Sequence, residues 1–114
     1  MNLVNLVRFS LALTVVVILL GAYTRLADAG LGCPDWPGCY GSLSVPSQQD
    51  EIALAQTLYP SLVIEADKAW LEMIHRYFAG SLGLFVVCIS LVGIVSKRIS
   101  LVWASMLTGT VLFQ

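Results

Sequence analysis

The chain opens on an apolar run. Phe9 to Thr24 carries no charge, and Leu3, Val4, Leu6 and Val7 extend the run backwards, with Arg8 able to snorkel towards an interface. A bilayer core needs roughly 20 apolar residues of helix, so a first helix is predicted over about 6–27. A tract rich in Gly, Pro, Ser and acids follows, from Ala29 to about Asp67. Inside it, Glu51 to Leu58 (EIALAQTL) has the pattern of a short amphipathic helix on the membrane surface. Pro60 should end that helix, because proline cannot continue the hydrogen-bond ladder. A second long apolar segment predicts a helix over about 68–96, with Asp67 placed to cap it. Lys97 to Ser100 reads as a polar turn, and a third apolar segment over about 99–114 is too short to span. The expectation is an all-α, multi-pass transmembrane helix bundle. It has two complete spans, a truncated third, and a long extracytoplasmic loop over 28–67. Residues 1–114 are then the N-terminal part of one membrane domain, and the chain is expected to be incomplete at its C-terminus.

Composition reinforces the pattern. Of 114 residues, 58% are hydrophobic and 11% charged, whereas soluble domains are about 45–50% apolar and 25% charged. A net charge of −1 offers no basic patch, which argues against a nucleic-acid partner. Arg8 precedes the first helix and Lys97 and Arg98 follow the second, while the long loop is mainly acidic. By the positive-inside rule, the N-terminus is expected to be cytoplasmic and loop 28–67 to face the periplasm or its equivalent. A cleaved signal peptide is the rival reading of the first helix, with Ala27-Asp28-Ala29 as the cleavage triplet. The run is longer than the usual apolar region of about 7–15 residues, so a retained helix is expected.

Candidate chemistry lies at the mouth of the second helix. His75 is the one histidine of the chain, flanked by Glu72 and Arg76. Ionisable groups at such a position suggest a functional site, because they are costly in hydrocarbon. Glu72 and His75, three apart, share a helical face, and Ala79, then Leu82 or Gly83, continue it, the small residues leaving a flat groove beneath the imidazole. An imidazole above such a groove suits an axial ligand of heme iron, but it equally suits a hydrogen bond to a neighbouring helix. Arg76, about 100° round the helix from His75, could pair with a heme propionate, with Asp67 or Glu72, or with a lipid phosphate. Membrane lipid is its usual partner at an interface. Arg25 can pair with Asp28, anchor the first helix at the interface, or reach an anionic ligand group. Cys33 and Cys39 bracket Pro-Asp-Trp-Pro-Gly, a stiff reversing loop. On an oxidising membrane face such a pair is expected to form a disulfide, structural or redox-active. Cys88 reads as a small apolar residue.

Two stretches together carry a resemblance. The first is Gly21-Ala-Tyr-Thr-Arg25-Leu-Ala-Asp-Ala-Gly30-Leu-Gly-Cys33-Pro-Asp-Trp-Pro-Gly-Cys39-Tyr-Gly41; the second is Glu72-Met-Ile-His75-Arg76-Tyr-Phe-Ala-Gly80. In that order they resemble the heme A synthase family (CtaA-type), over nearly the whole chain. The resemblance implies oxidation of a heme O methyl group to a formyl group, giving heme A for cytochrome c oxidase. It implies eight transmembrane helices in two similar halves, each with paired heme-ligand histidines. Carried over, Glu72 is the catalytic candidate. His75 is the heme-iron ligand, and His75, Arg76 and Arg25 form the cofactor-binding set. Cys33 and Cys39 are the loop cysteines. Heme O or heme b with its iron is the implied cofactor. Heme O, heme O synthase, the cytochrome c oxidase assembly route and a homo-oligomer are the implied partners. The resemblance also implies that the second axial ligand lies outside this chain. Two other readings stand beside it: a non-catalytic b-type heme subunit, and a membrane thiol–disulfide oxidoreductase. The last is disfavoured because Asp35 would raise a neighbouring thiol pKa.

Overall fold

The computed structural model describes residues 2–113. They form four helices, α1 (Leu3–Leu26), α2 (Gln49–Leu58), α3 (Ala66–Val95) and α4 (Leu101–Leu112). No strand occurs among the described residues, only an isolated bridge between Cys39 and Ser42. Two helices, α1 and α3, are long and apolar enough to cross a membrane, and the chain is an all-helical membrane protein. At 1.5 Å per residue, the 30 residues of α3 exceed a hydrocarbon core of about 30 Å. Its charged residues Asp67, Lys68, Glu72 and Arg76 all lie towards its N-terminal end.

Helix starts differ from the sequence expectation for local reasons. The first helix begins at Leu3 because the Asn2 side-chain oxygen accepts the Asn5 N–H at 2.9 Å, a cap the apolar pattern does not show. The second begins at Gln49 because Glu51 reaches back to accept the Ser47 N–H at 2.9 Å and the Gln48 N–H at 3.2 Å. Asp67 lies inside the first turn of α3 rather than capping it. There its charge still favours the positive end of the helix dipole. The end of α3 closes on Lys97 at φ 54, with the Arg98 and Ile99 N–H groups donating back to the Gly93 carbonyl, as in a left-handed helix end.

The chain divides into two compact units. One comprises the start of α1 to Ile18 and everything from Phe78 onward. Within it, the Phe9 and Phe85 rings meet at a tilt of 54°, 4.9 Å between centroids. Ser90, buried on α3, donates to the Ala104 carbonyl at 3.5 Å and accepts from the Thr108 hydroxyl at 3.2 Å. Small polar residues at such a crossing allow close helix approach and interhelical hydrogen bonds.

The other unit is Leu19–Tyr77. Its core gathers Cys33, Cys39, Tyr40, Val45, Ala55, Ala69 and Met73, with Tyr59 and Ile64 against them. Met73 is wholly buried, and burial of a side chain that size is worth about 1.5–3 kcal/mol. Tyr40 and Tyr59 meet edge to face at 5.9 Å. The polar tract of the sequence is therefore a small packed body around the α3 mouth.

Candidate functional site

The Cys33–Cys39 disulfide is formed, with Cα atoms 4.9 Å apart. Three devices fold the loop it closes. The Asp35 carboxylate accepts the Tyr40 N–H at 2.6 Å and the Gly41 N–H at 2.9 Å. Tyr40 (φ 52) and Gly41 (φ 83) both adopt left-handed backbone there, so two successive N–H groups converge on one anion. Cys39 and Ser42 exchange backbone hydrogen bonds at 2.8 and 3.1 Å.

This loop sits directly on α3. Gly32 lets it do so. A side-chain carbon there would lie 2.7 Å from the Lys68 carbonyl atoms and 2.8 Å from the Ala69 nitrogen. The disulfide sulfur of Cys33 rests 3.8 Å from the Ala69 carbonyl oxygen, a packing contact, since a bridged sulfur has no proton to donate. The Cys33 N–H donates to Glu72 Oε2 at 2.9 Å. Arg76 Nη1 donates to the Asp35 carbonyl at 2.7 Å and the Gly38 carbonyl at 2.8 Å, and its Nη2 pairs with Glu72 Oε1. The Tyr40 hydroxyl donates to the Val63 carbonyl at 3.3 Å. Burial, then the negative charges of Glu65, Glu72 and Asp35, push the Tyr40 phenol above its ordinary 10.0.

An open cleft of about 380 Å³ lies beside this contact, lined by Gly21, Ala22, Thr24, Arg25, Gly30, Glu72, His75 and Arg76. Its lining includes the four polar side chains that sequence reading selected at the α1 end and the α3 mouth. A larger groove of about 600 Å³, lined by Pro46, Ile52, Gln56, Pro60, Leu62, Val63, Ile64 and Ala66, contains no titratable side chain. Chemistry therefore points to the smaller cleft.

His75 is half-buried at the cleft wall, and its Nδ1 is buried with no hydrogen-bond partner. A buried imidazole nitrogen left unpaired calls for an explanation, such as a bound group. The ring packs on Gly21 of α1. A carbon added at Gly21 would stand 2.9 Å from Cε1 and 3.4 Å from Nε2. Glu72 is 8% exposed, with both carboxylate oxygens engaged by the contacts above. Arg25 is exposed, and its side chain has no hydrogen-bond or ion-pair partner among the described residues. Of the options open for Arg25, pairing with Asp28 is not realised among the described residues. The Asp28 carboxylate instead lies 3.9 Å from Lys68, whose closer partner is Glu65 at 2.9 Å. Asp28 takes a left-handed backbone (φ 53) just past the end of α1, and its carboxylate is almost fully exposed.

Sequence reading did not find Gly32 and Asp35 as organisers of the loop, or Gly21 as the seat of the imidazole. The signal available was weak. A Cys-Pro-Asp turn hints at side-chain capture of backbone N–H groups, while nothing in the pattern of α1 shows what faces Gly21.

Residues 5–114 match the cytochrome oxidase assembly protein family. The heme A synthase of Shewanella oneidensis is 64% identical over 89 residues, which is 78% of this chain and 27% of the relative. The chain thus spans about a quarter of that relative's length. No solved structure matches the chain.

Proposed function

The chain belongs to the cytochrome oxidase assembly protein family, and from that premise we propose that it is part of a heme A synthase, an oxidoreductase that converts the heme O methyl group to a formyl group. His75 carries the reading. An imidazole with an orphaned buried nitrogen, seated on glycine at the wall of an open cleft, is a donor prepared for a group the protein does not itself supply. The donor set suits a heme: His75 as a ligand to iron, and the unpaired Arg25 as a counter-charge for a propionate. When bound, the heme supplies the iron centre and the redox chemistry. The work of this chain is to bind, orient and handle protons. Glu72 lines the cleft, which supports a role for its carboxylate in accepting a proton or balancing a developing positive charge.

The same reading places the protein in a bacterial inner membrane, with the N-terminus cytoplasmic and loop 28–67 periplasmic. Residues 1–114 form one part of the membrane domain. Heme O is the substrate, and heme O synthase and further copies of the chain are partners. Two measurements on protein expressed in a heme-O-producing host test the reading. The purified protein is expected to show a heme absorbance band that His75→Ala weakens by at least about tenfold in affinity, since losing even an outer-shell partner of a metal ligand typically costs that much. Extracted hemes are expected to lose heme A when Glu72→Ala is placed in the full-length protein. Wild-type heme A output in the Glu72 variant would remove that residue from the chemistry. An unchanged spectrum in His75→Ala would remove the ligand assignment.

A further inference from the structure

We infer that Arg76 is a positioning residue, which locks the disulfide-closed loop to Glu72 and so fixes the carboxylate at the edge of the cleft. The inference rests on the functional reading above for the importance of Glu72, and on geometry for everything else. Both protons of Arg76 Nη1 are committed, one to the Asp35 carbonyl at 2.7 Å and one to the Gly38 carbonyl at 2.8 Å. Nη2 pairs with Glu72 Oε1. The opposite carboxylate oxygen takes the Cys33 N–H from the same loop at 2.9 Å. Glu72 is thus held from both sides by one body, directly through Cys33 and indirectly through Arg76. The two carbonyls are aimed by the loop's own fold, which depends on Asp35 holding the Tyr40 and Gly41 N–H groups and on the disulfide.

The side chains in this cluster divide the electrostatic work. Arg76 spends three of its five N–H donors on protein acceptors, while the Arg25 side chain, on the same cleft, has no partner among the described residues. A bound anion therefore finds its free guanidinium at Arg25. The job at position 76 requires a planar fork that reaches three acceptors at once, which a lysine ammonium on a flexible stem does not reproduce. A role in plain charge neutralisation would tolerate lysine.

The test uses purified wild-type and variant protein in detergent micelles. A water-soluble carbodiimide labels carboxylates, and peptide mass spectrometry reads the rate at Glu72 against the more exposed Glu65 of the same segment. Arg76→Lys is expected to label at Glu72 about tenfold faster than wild type, equivalent to about 1.4 kcal/mol of lost protection, with the Glu65 rate unchanged. Asp35→Asn leaves Arg76 in place but loosens the carbonyls it grips, and should raise the Glu72 rate in the same direction. It also serves if the lysine variant fails to fold. Wild-type Glu72 protection in both variants overturns the inference. So does loss of heme absorbance in Arg76→Lys with Glu72 still protected, because Arg76 would then contact the ligand directly. Failure of wild-type protein to bind heme would refute the functional reading while leaving the labelling comparison valid.

Discussion

Gly21→Ala asks whether His75 is seated by shape. The added methyl would stand 2.9 Å from Cε1, 3.4 Å from Nε2 and 3.6 Å from Nδ1 of His75, and those are its three nearest neighbours. Carbon atoms pack at roughly 3.5–4.0 Å, so the ring must retreat by roughly 0.6 Å or more. No backbone atom is among the three, so the ring can take up the displacement by rotation. Turning a side chain about 30° off its rotamer costs about 0.5–1.5 kcal/mol. The same substitution replaces a glycine inside α1, which favours the helix by about 1 kcal/mol. The two terms nearly cancel, so overall stability should change by less than about 1 kcal/mol. The imidazole nevertheless moves, and misplacing a working group by about 1 Å can cost about 100-fold. His75 is the one histidine of the chain, so its ring carbon and nitrogen NMR resonances report the displacement without assignment ambiguity. Denaturant unfolding in micelles reports stability. The expected result is shifted His75 resonances, weakened heme absorbance and a flat stability. Unchanged resonances together with a full helix-propensity gain would refute the seating argument. A loss of more than about 2 kcal/mol would show that the backbone moves, contrary to the contact geometry.

Two further predictions concern the packed body around the loop. Met73→Ala empties the centre of the Leu19–Tyr77 core and should cost about 2–5 kcal/mol, read as earlier unfolding and faster proteolysis of the loop. Loss of less than about 0.5 kcal/mol would contradict the burial. Tyr40 supplies a pH test. Its folded pKa lies above 10.0, so its contribution to stability is fully present below 10.0 and is lost as pH rises through the folded value. Alkaline titration followed by ultraviolet difference absorbance should therefore find one tyrosine ionising late, with loosening of the loop on the same curve. Its ionisation at the ordinary value would refute the buried, anion-flanked setting.

The sequence by itself determined the helices, because continuous apolar runs bounded by charge, Pro and Gly leave the chain few other ways to satisfy its backbone in a membrane. It also picked out Glu72, His75, Arg76, Arg25 and the cysteine pair, since ionisable groups at a span's mouth and paired cysteines are conspicuous against an apolar background. What it did not determine was who meets whom. Glu72 and Arg76 are one turn apart, and their pairing was among the options open from spacing alone. The Cys33 N–H that completes the grip on Glu72, and the Asp35 and Gly38 carbonyls that hold Arg76, come from backbone groups that every residue has. Only the folded loop aims them. The same holds for Gly21 and His75, on helices separated by the whole polar tract. An imidazole's seat depends on which face of another helix arrives beside it, and that is set by packing, not by any local pattern. The sequence thus marked the groups able to do chemistry, and the tertiary structure decided which are already committed to one another and which, Arg25 and the orphaned nitrogen of His75, remain available.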